Sequence, residues 1–237
     1  MERLDKIIAC TGRWSRREVK ALVRQGLVLV DGMPARDPED KIDPEVAEIQ
    51  VNGEMLSYRQ YTWVMLNKPA GYLSATEDGR GATVLDLLPE ELRRQGLFPV
   101  GRLDKDTEGL LLLTNEGGLA HDLLSPRHHV EKEYFVRVKG QLTTEDCRAF
   151  QAGMVLGDGT VCQSAGLEIL SIGAESEGYV ILREGKFHQV KRMLACLGKP
   201  VVYLERVRMG NLTLDRTLCR GEYRFLTPEE VEELRQA

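Results

Sequence analysis

Nine consecutive residues, Gly101-Arg102-Leu103-Asp104-Lys105-Asp106-Thr107-Glu108-Gly109, place five ionisable side chains between two glycines and two apolar segments. A loop held between strands is where a fold can present a carboxylate to a ligand. Asp104 is the candidate nucleophile or electrostatic stabiliser, Arg102 the candidate phosphate or base contact, and Asp106 and Glu108 are candidate supports. Composition alone favours an exposed polar turn, and the order of the residues is what points to a site. The apolar run Leu110-Leu111-Leu112-Leu113 behind the loop is too short for a core helix and reads as a buried strand.

The elements that must position this loop follow from periodicity. Strands are expected over residues 62–67, 109–114, 133–138, 178–183 and 201–207, and helical pieces over 85–88, 90–94, 116–124 and 188–197. A last helix starts at Thr227-Pro228-Glu229-Glu230, with a Thr cap and Pro at the first helical position. Strands and helices interleave without the regular spacing of βαβ units. The fold class is therefore α+β, a mixed or antiparallel sheet with flanking helices.

Ahead of that domain lies a module of different character. Residues 1–36 carry eight Lys/Arg against four acids, and residues 37–60 carry two bases against seven acids, within a 237-residue chain of net charge -5. Leu4, Ile7 and Ile8 share a helix face closed by Gly12. Ser15 and Glu18 form a capping box for a second helix ending at Gly26, and Leu27-Val28-Leu29-Val30 is a strand turned by Asp31-Gly32. Arg16, Arg17 and Lys20 make the second helix basic, which suits a phosphate backbone. A second basic run, from Arg183 to Arg208, holds seven bases against two acids and suits a phosphate cradle.

Other classes are excluded by composition. No stretch approaches the roughly 18 apolar residues of a membrane span, and Met1 to Asp5 lacks the apolar core of a signal peptide. Five dispersed cysteines without a Cys-x-x-Cys pair argue against a disulfide framework and a cysteine zinc site. A cytoplasmic protein without a membrane partner is expected.

Arg3-Leu4-Asp5-Lys6, Ser15-Arg16-Arg17-Glu18 and Gly26 to Gly32 resemble the S4 RNA-binding domain. Gly101-Arg102-Leu103-Asp104 followed by Thr107 to Gly117 resembles the signature of the RNA pseudouridine synthases, in the branch that carries an S4 domain. Leu66 to Tyr72, Ser125 to Tyr134 and Glu184 to Met193 agree with it. The segments Ser125 to Lys132 and His188 to Met193 look most like the members acting on small-subunit ribosomal RNA.

The resemblance implies an S4-like domain over residues 1–53, a linker over 54–61 and a catalytic domain over 62–237. It implies that Asp104 is the catalytic aspartate, Tyr134 the tyrosine that stacks on the target base, and Lys191 the basic partner of the aspartate, at a position often held by Arg. It further implies that Arg102 fills the gap left by a flipped nucleotide. Arg16, Arg17 and Lys20 on the basic helix, Arg127 in the segment before Tyr134, and Lys186 and Arg192 in the second basic run are the remaining candidate RNA contacts. No cofactor or metal is expected, because the isomerisation changes neither redox state nor composition. The expected partner is ribosomal RNA or a ribosomal-subunit assembly intermediate, met by a monomer. Two competing readings are the same reaction on large-subunit RNA and a ribosome-assembly RNA-binding protein without chemistry.

Overall fold

The computed structural model describes residues 1–125 and 128–236, which fall into two compact units. The first comprises Met1–Thr62 and Leu88–Leu97. Helices Leu4–Cys10 and Arg16–Arg24 pack Leu4, Ile7, Ile8, Val19 and Val23 against Val28, Ile49 and Val51. The second helix starts on the expected capping box, Ser15 accepting from the Glu18 backbone and Glu18 from that of Ser15. Asp31 and Gly32 both take positive φ (51° and 75°), the turn that the strand pair Val28–Val30 and Met33–Pro34 needs. The antiparallel sheet is completed by Ile49–Val51 and Glu54–Met55.

Two boundaries differ from the sequence reading. Residues 54–61, read as a polar linker, begin with a strand, and Leu56 and Tyr58 pack on the core of the first unit. The helix Glu90–Arg93 also belongs to this unit, although it is flanked in sequence by the larger one. A Cβ on Gly12 (φ 77°) would lie 1.8 Å from the Glu91 carbonyl oxygen, so this segment approaches the turn at Gly12 more closely than any other residue type permits.

The larger unit is built on a nine-stranded mixed sheet. Its strands run in the order Gly166–Ser171, Glu175–Leu182, Lys132–Lys139, Val201–Met209, Glu108–Thr114, Trp63–Lys68, Tyr223–Phe225. Leu212–Thr213 and Phe98–Pro99 add to its length, and only the pairing of Val201–Met209 with Glu108–Thr114 is parallel. The leucine run is a strand, buried at every position from Gly109 to Thr114. Two apolar clusters support the sheet. One joins Trp63, Met65, Leu110 and Leu112 to the helices Gly117–Leu124 and Pro228–Arg235, and the other joins Val136, Val180 and Leu204 to the helices Thr144–Ala152 and Gln189–Cys196. Elements without a place in the sequence reading include the helix Thr144–Ala152 and the edge strands Gly166–Ser171 and Tyr223–Phe225.

Candidate active site

The loop from Val100 to Thr107 connects two strands that pair with each other, Phe98–Pro99 and Glu108–Thr114, so the sheet fixes both of its ends. Lys68, wholly buried at the end of the next strand, fills the space beneath. Its ammonium donates to the carbonyl oxygens of Thr107 (2.8 Å), Pro69 (3.0 Å), Asp104 (3.1 Å) and Lys105 (3.3 Å). Burial pulls the Lys68 ammonium down to about 8. It remains mostly charged at neutral pH, and a cation facing four carbonyl oxygens is a stiff clamp. Ser74 adds a reciprocal pair, its hydroxyl donating to the Leu103 carbonyl (3.0 Å) and accepting from the Leu103 amide (3.1 Å). The Gly71 amide donates to the Lys105 carbonyl at 2.7 Å.

Glu108 anchors the far end of the loop. It accepts from the Tyr203 hydroxyl and pairs with Arg220, both at 2.9 Å. Burial, reinforced by the Glu108 carboxylate, pushes the Tyr203 phenol up to about 12, so it stays a donor. Gly109 beside it has φ 96°, and a Cβ there would meet the Arg206 carbonyl oxygen at 2.3 Å.

Above the clamped loop stands the helix Gln189–Cys196. Val190, Met193 and Leu194 bury its inner face and fix its rotation. That rotation brings the Lys191 ammonium to 3.0 Å from Asp104 Oδ2 and 2.5 Å from Asp106 Oδ1. Burial pulls the lysine down, but the Asp106 and Asp104 carboxylates outweigh it and hold the ammonium above its ordinary range. The Lys191 hydrogen bond in turn holds Asp106 below the usual carboxylate range. His188, one turn earlier, sets Nε2 at 3.4 Å from Asp104 Oδ1. The Asp104 side chain is 25% exposed, so its backbone is fixed from below while its carboxylate is paired from above and open to a ligand.

The other candidates from the sequence fall in different places. Tyr134 pairs in register with Val180 and Arg206 and packs on the same core as the helix carrying Lys191. Among the described residues no hydrogen bond joins it to Asp104 or Lys191. Arg102 is exposed, and among the described residues it has no ion pair. Arg127 lies outside the described residues.

The second basic run is not one free surface. Lys186 pairs with Glu184 at 2.6 Å, Arg192 with Asp158 at 2.5 Å, Arg183 with Glu131 at 2.8 Å and Arg208 with Glu133 at 2.7 Å. Arg206 is buried, its Nε donating to the Leu110 carbonyl at 2.8 Å. On the basic helix of the first unit Arg17 is exposed, Arg16 lies 3.7 Å from Asp5, and Lys20 pairs with Glu39 at 3.1 Å.

Reasoning from sequence missed His188, Ser74 and the network of Glu108, Tyr203 and Arg220. Only His188 carried a local signal, since three residues before Lys191 on a helical period it must share that residue's side.

Residues 62–196 match the model of the RNA pseudouridylate synthase family, and residues 2–46 match that of the S4 domain. The chain belongs to the RNA pseudouridylate synthase family. An uncharacterized RNA pseudouridine synthase of Bacillus subtilis is 49% identical to it, over 99% of this chain and 98% of that one. The ribosomal small subunit pseudouridine synthase A of Vibrio cholerae is 39% identical over 97% of both chains, and that of Escherichia coli 38% over 97% and 98%. A crystal structure of a pseudouridylate synthase aligns with a TM-score of 0.69 at 36% identity, covering 99% of this chain and all of the other. The protein is thus an RNA pseudouridine synthase, an isomerase with an S4 domain ahead of an α+β catalytic domain.

Proposed function

We propose that this synthase converts uridine to pseudouridine in small-subunit ribosomal RNA, with Asp104 as the catalytic carboxylate. The observation that carries the reading is the Asp104 carboxylate, paired with Lys191 on a loop that Lys68 clamps and only a quarter exposed, where the neighbouring Asp106 is three-quarters exposed. The two relatives named for small-subunit RNA, similar over nearly the whole chain, support the choice of substrate.

The reaction breaks the bond between ribose C1′ and uracil N1, turns the base and rejoins it through C5, and the C5 hydrogen leaves as a proton. Asp104 serves it by attacking C1′, by adding to C6 or by removing the C2′ proton. Each route needs an ionised, immobile carboxylate, and Lys191 holds it in place. The target base must leave its stack to reach that carboxylate. Tyr134 offers it a flat face, and Arg102 fills the gap it leaves. Arg16, Arg17 and Lys20 hold the phosphate backbone by charge and shape rather than by base sequence. Lys186 serves the same purpose near the site, with its ion pair opening to receive a phosphate, and Arg192 meets the RNA beside it. The enzyme works as a cytoplasmic monomer, and its partner is ribosomal RNA, free or in an assembling subunit.

The test is Asp104→Asn, which preserves shape and removes the carboxylate. Pseudouridine at one small-subunit position should disappear from cells carrying the variant, while affinity for the RNA in vitro stays within a few fold. Turnover comparable to wild type overturns the catalytic assignment, and loss of pseudouridine from large-subunit RNA alone overturns the substrate.

A further inference from the structure

Phe187 is 75% exposed, although it immediately precedes the residue that caps the catalytic helix. An exposed apolar residue is ordinary by itself. Its setting is not. The phenyl ring stacks flat on the imidazole of His188, with centroids 3.8 Å apart and an interplanar angle of 18°. The other ring pairs of the described residues meet edge to face. His188 holds this position with φ 48° and ψ 35°, a left-handed conformation that a residue with a Cβ adopts only where its surroundings enforce it. The imidazole reaches Asp104 through its edge, with Nε2 3.4 Å from Oδ1. The ring pair therefore runs from the catalytic carboxylate to a phenyl ring open to solvent.

Beside that face lies a cavity of about 580 Å³, within the usual size of a small-ligand site. Leu156, Ala195 and the Phe187 ring give it apolar walls. Its polar edge is the ion pair of Arg192 with Asp158 at 2.5 Å, a fixed donor next to a fixed acceptor. Arg192 also donates to the Phe187 carbonyl at 3.3 Å, which ties the platform to the helix bearing Lys191. An apolar slot with one aromatic wall and a paired donor and acceptor at its rim has the chemistry of a nucleobase site.

We infer that Phe187 and His188 form a stacking platform for a second base of the substrate RNA, that of a nucleotide adjoining the target uridine. The inference rests on the proposed reaction at Asp104 and extends it. Flipping one nucleotide unstacks its neighbour, and a neighbour held on Phe187 keeps the backbone extended across Asp104. Stacking tolerates any base, so the platform contributes affinity, while Asp158 and Arg192 can discriminate at the base edge. His188 links the two bases physically.

The experiment compares Phe187→Ala, Phe187→Leu and Phe187→Tyr in the full-length enzyme, on in vitro transcribed small-subunit RNA and on a fragment around its modified position. Affinity and single-turnover rate are both read. Phe187→Ala should lower kcat/KM by roughly 5- to 150-fold, the range for one base stacked on one aromatic ring. Phe187→Tyr should recover most of that loss and Phe187→Leu little of it, with thermal stability unchanged in all three. An abasic nucleotide at one position next to the target should remove the difference between wild type and Phe187→Ala. Equal recovery by leucine and tyrosine, or additive effects of Phe187→Ala and the abasic substitution at both neighbouring positions, overturns the platform. If the wild type modifies no ribosomal RNA, the proposed reaction fails, and the affinity ratio of the leucine and tyrosine variants on the same RNA still decides the platform.

Discussion

Removing the Lys191 ammonium tests how much of catalysis depends on charge above the loop. At 3.0 Å from Asp104 Oδ2, a unit-charge pair is worth about 5.5 kcal/mol at an effective dielectric of 20 and about 1.4 kcal/mol in bulk water. Side-chain exposures of 22% for Lys191 and 25% for Asp104 place the pair between these limits, at about 3 kcal/mol. The loss also uncovers a second carboxylate. Oxygens lying 3.0 and 2.5 Å from one nitrogen are at most about 5.5 Å apart, so Lys191→Ala leaves Asp104 and Asp106 repelling each other. Taken as lost transition-state stabilisation, about 3 kcal/mol slows the single-turnover rate by about 10²-fold. Lys191→Arg keeps the charge and can fork onto both carboxylates, so it should stay within about tenfold of wild type. RNA labelled with tritium at uridine C5 provides the assay, because the new glycosidic bond forms there and the label is released. If alanine is as fast as arginine, Lys191 is a phosphate contact or a surface residue, and the electrostatic reasoning fails.

Lys68→Met removes the donor from four carbonyl oxygens and should destabilise the catalytic domain by about 2 to 4 kcal/mol in urea titrations, with a larger loss of rate than of RNA affinity. Because Lys68 titrates near 8 when folded and near 10.5 when unfolded, the unfolded chain holds more protons between those values. The stability of wild type relative to Lys68→Met should therefore rise from pH 8 to pH 10 and fall again as the pH returns through 8; a flat difference refutes the lowering of the ammonium by burial. Gly109→Ala introduces a Cβ 2.3 Å from the Arg206 carbonyl oxygen at φ 96° and should cost about 3 kcal/mol, read as a fall in Tm. The triple change of Arg16, Arg17 and Lys20 to Ala should weaken RNA binding and reduce its salt slope by roughly two units, at about 0.7 to 0.9 per lost phosphate contact. An unchanged slope would show that this helix does not touch RNA.

The sequence exposed whatever was periodic or contiguous. The leucine run, the Ser15 capping box and the Asp31-Gly32 turn each depend on residues a few positions apart, and each formed as expected. The Asp104 and Lys191 pair is 87 residues apart in the chain, and only the resemblance to a family joined the two positions. Ser74 had no such help. Its contact with Leu103 is a tertiary hydrogen bond that leaves no period and no composition bias. The helix Thr144–Ala152 went unseen although Thr143 and Asp146 form its capping box, because Asp in place of Glu or Gln weakened the signature.

The basic run from Arg183 to Arg208 shows why charge read along a chain misleads about charge on a surface. Its two internal acids suggested five uncompensated cations, yet the acids that answer them come from elsewhere. Glu131 and Glu133 sit on or beside the strand Lys132–Lys139, and Asp158 follows a different hairpin strand. Antiparallel pairing of Lys132–Lys139 with Val201–Met209 puts Glu133 opposite Arg208, and a register shift at the next residue sets the buried Arg206 opposite Tyr134. The more exposed of these pairs, such as Arg183 with Glu131, are worth little to stability, so a phosphate can displace the carboxylate at small cost. Among the described residues the unanswered cations near the site are then few, with the exposed Arg102 among them. A negatively charged protein can hold RNA on these terms. Its intramolecular carboxylates keep the cations ordered and yield to phosphates where the shape fits, so affinity depends on complementarity more than on net charge.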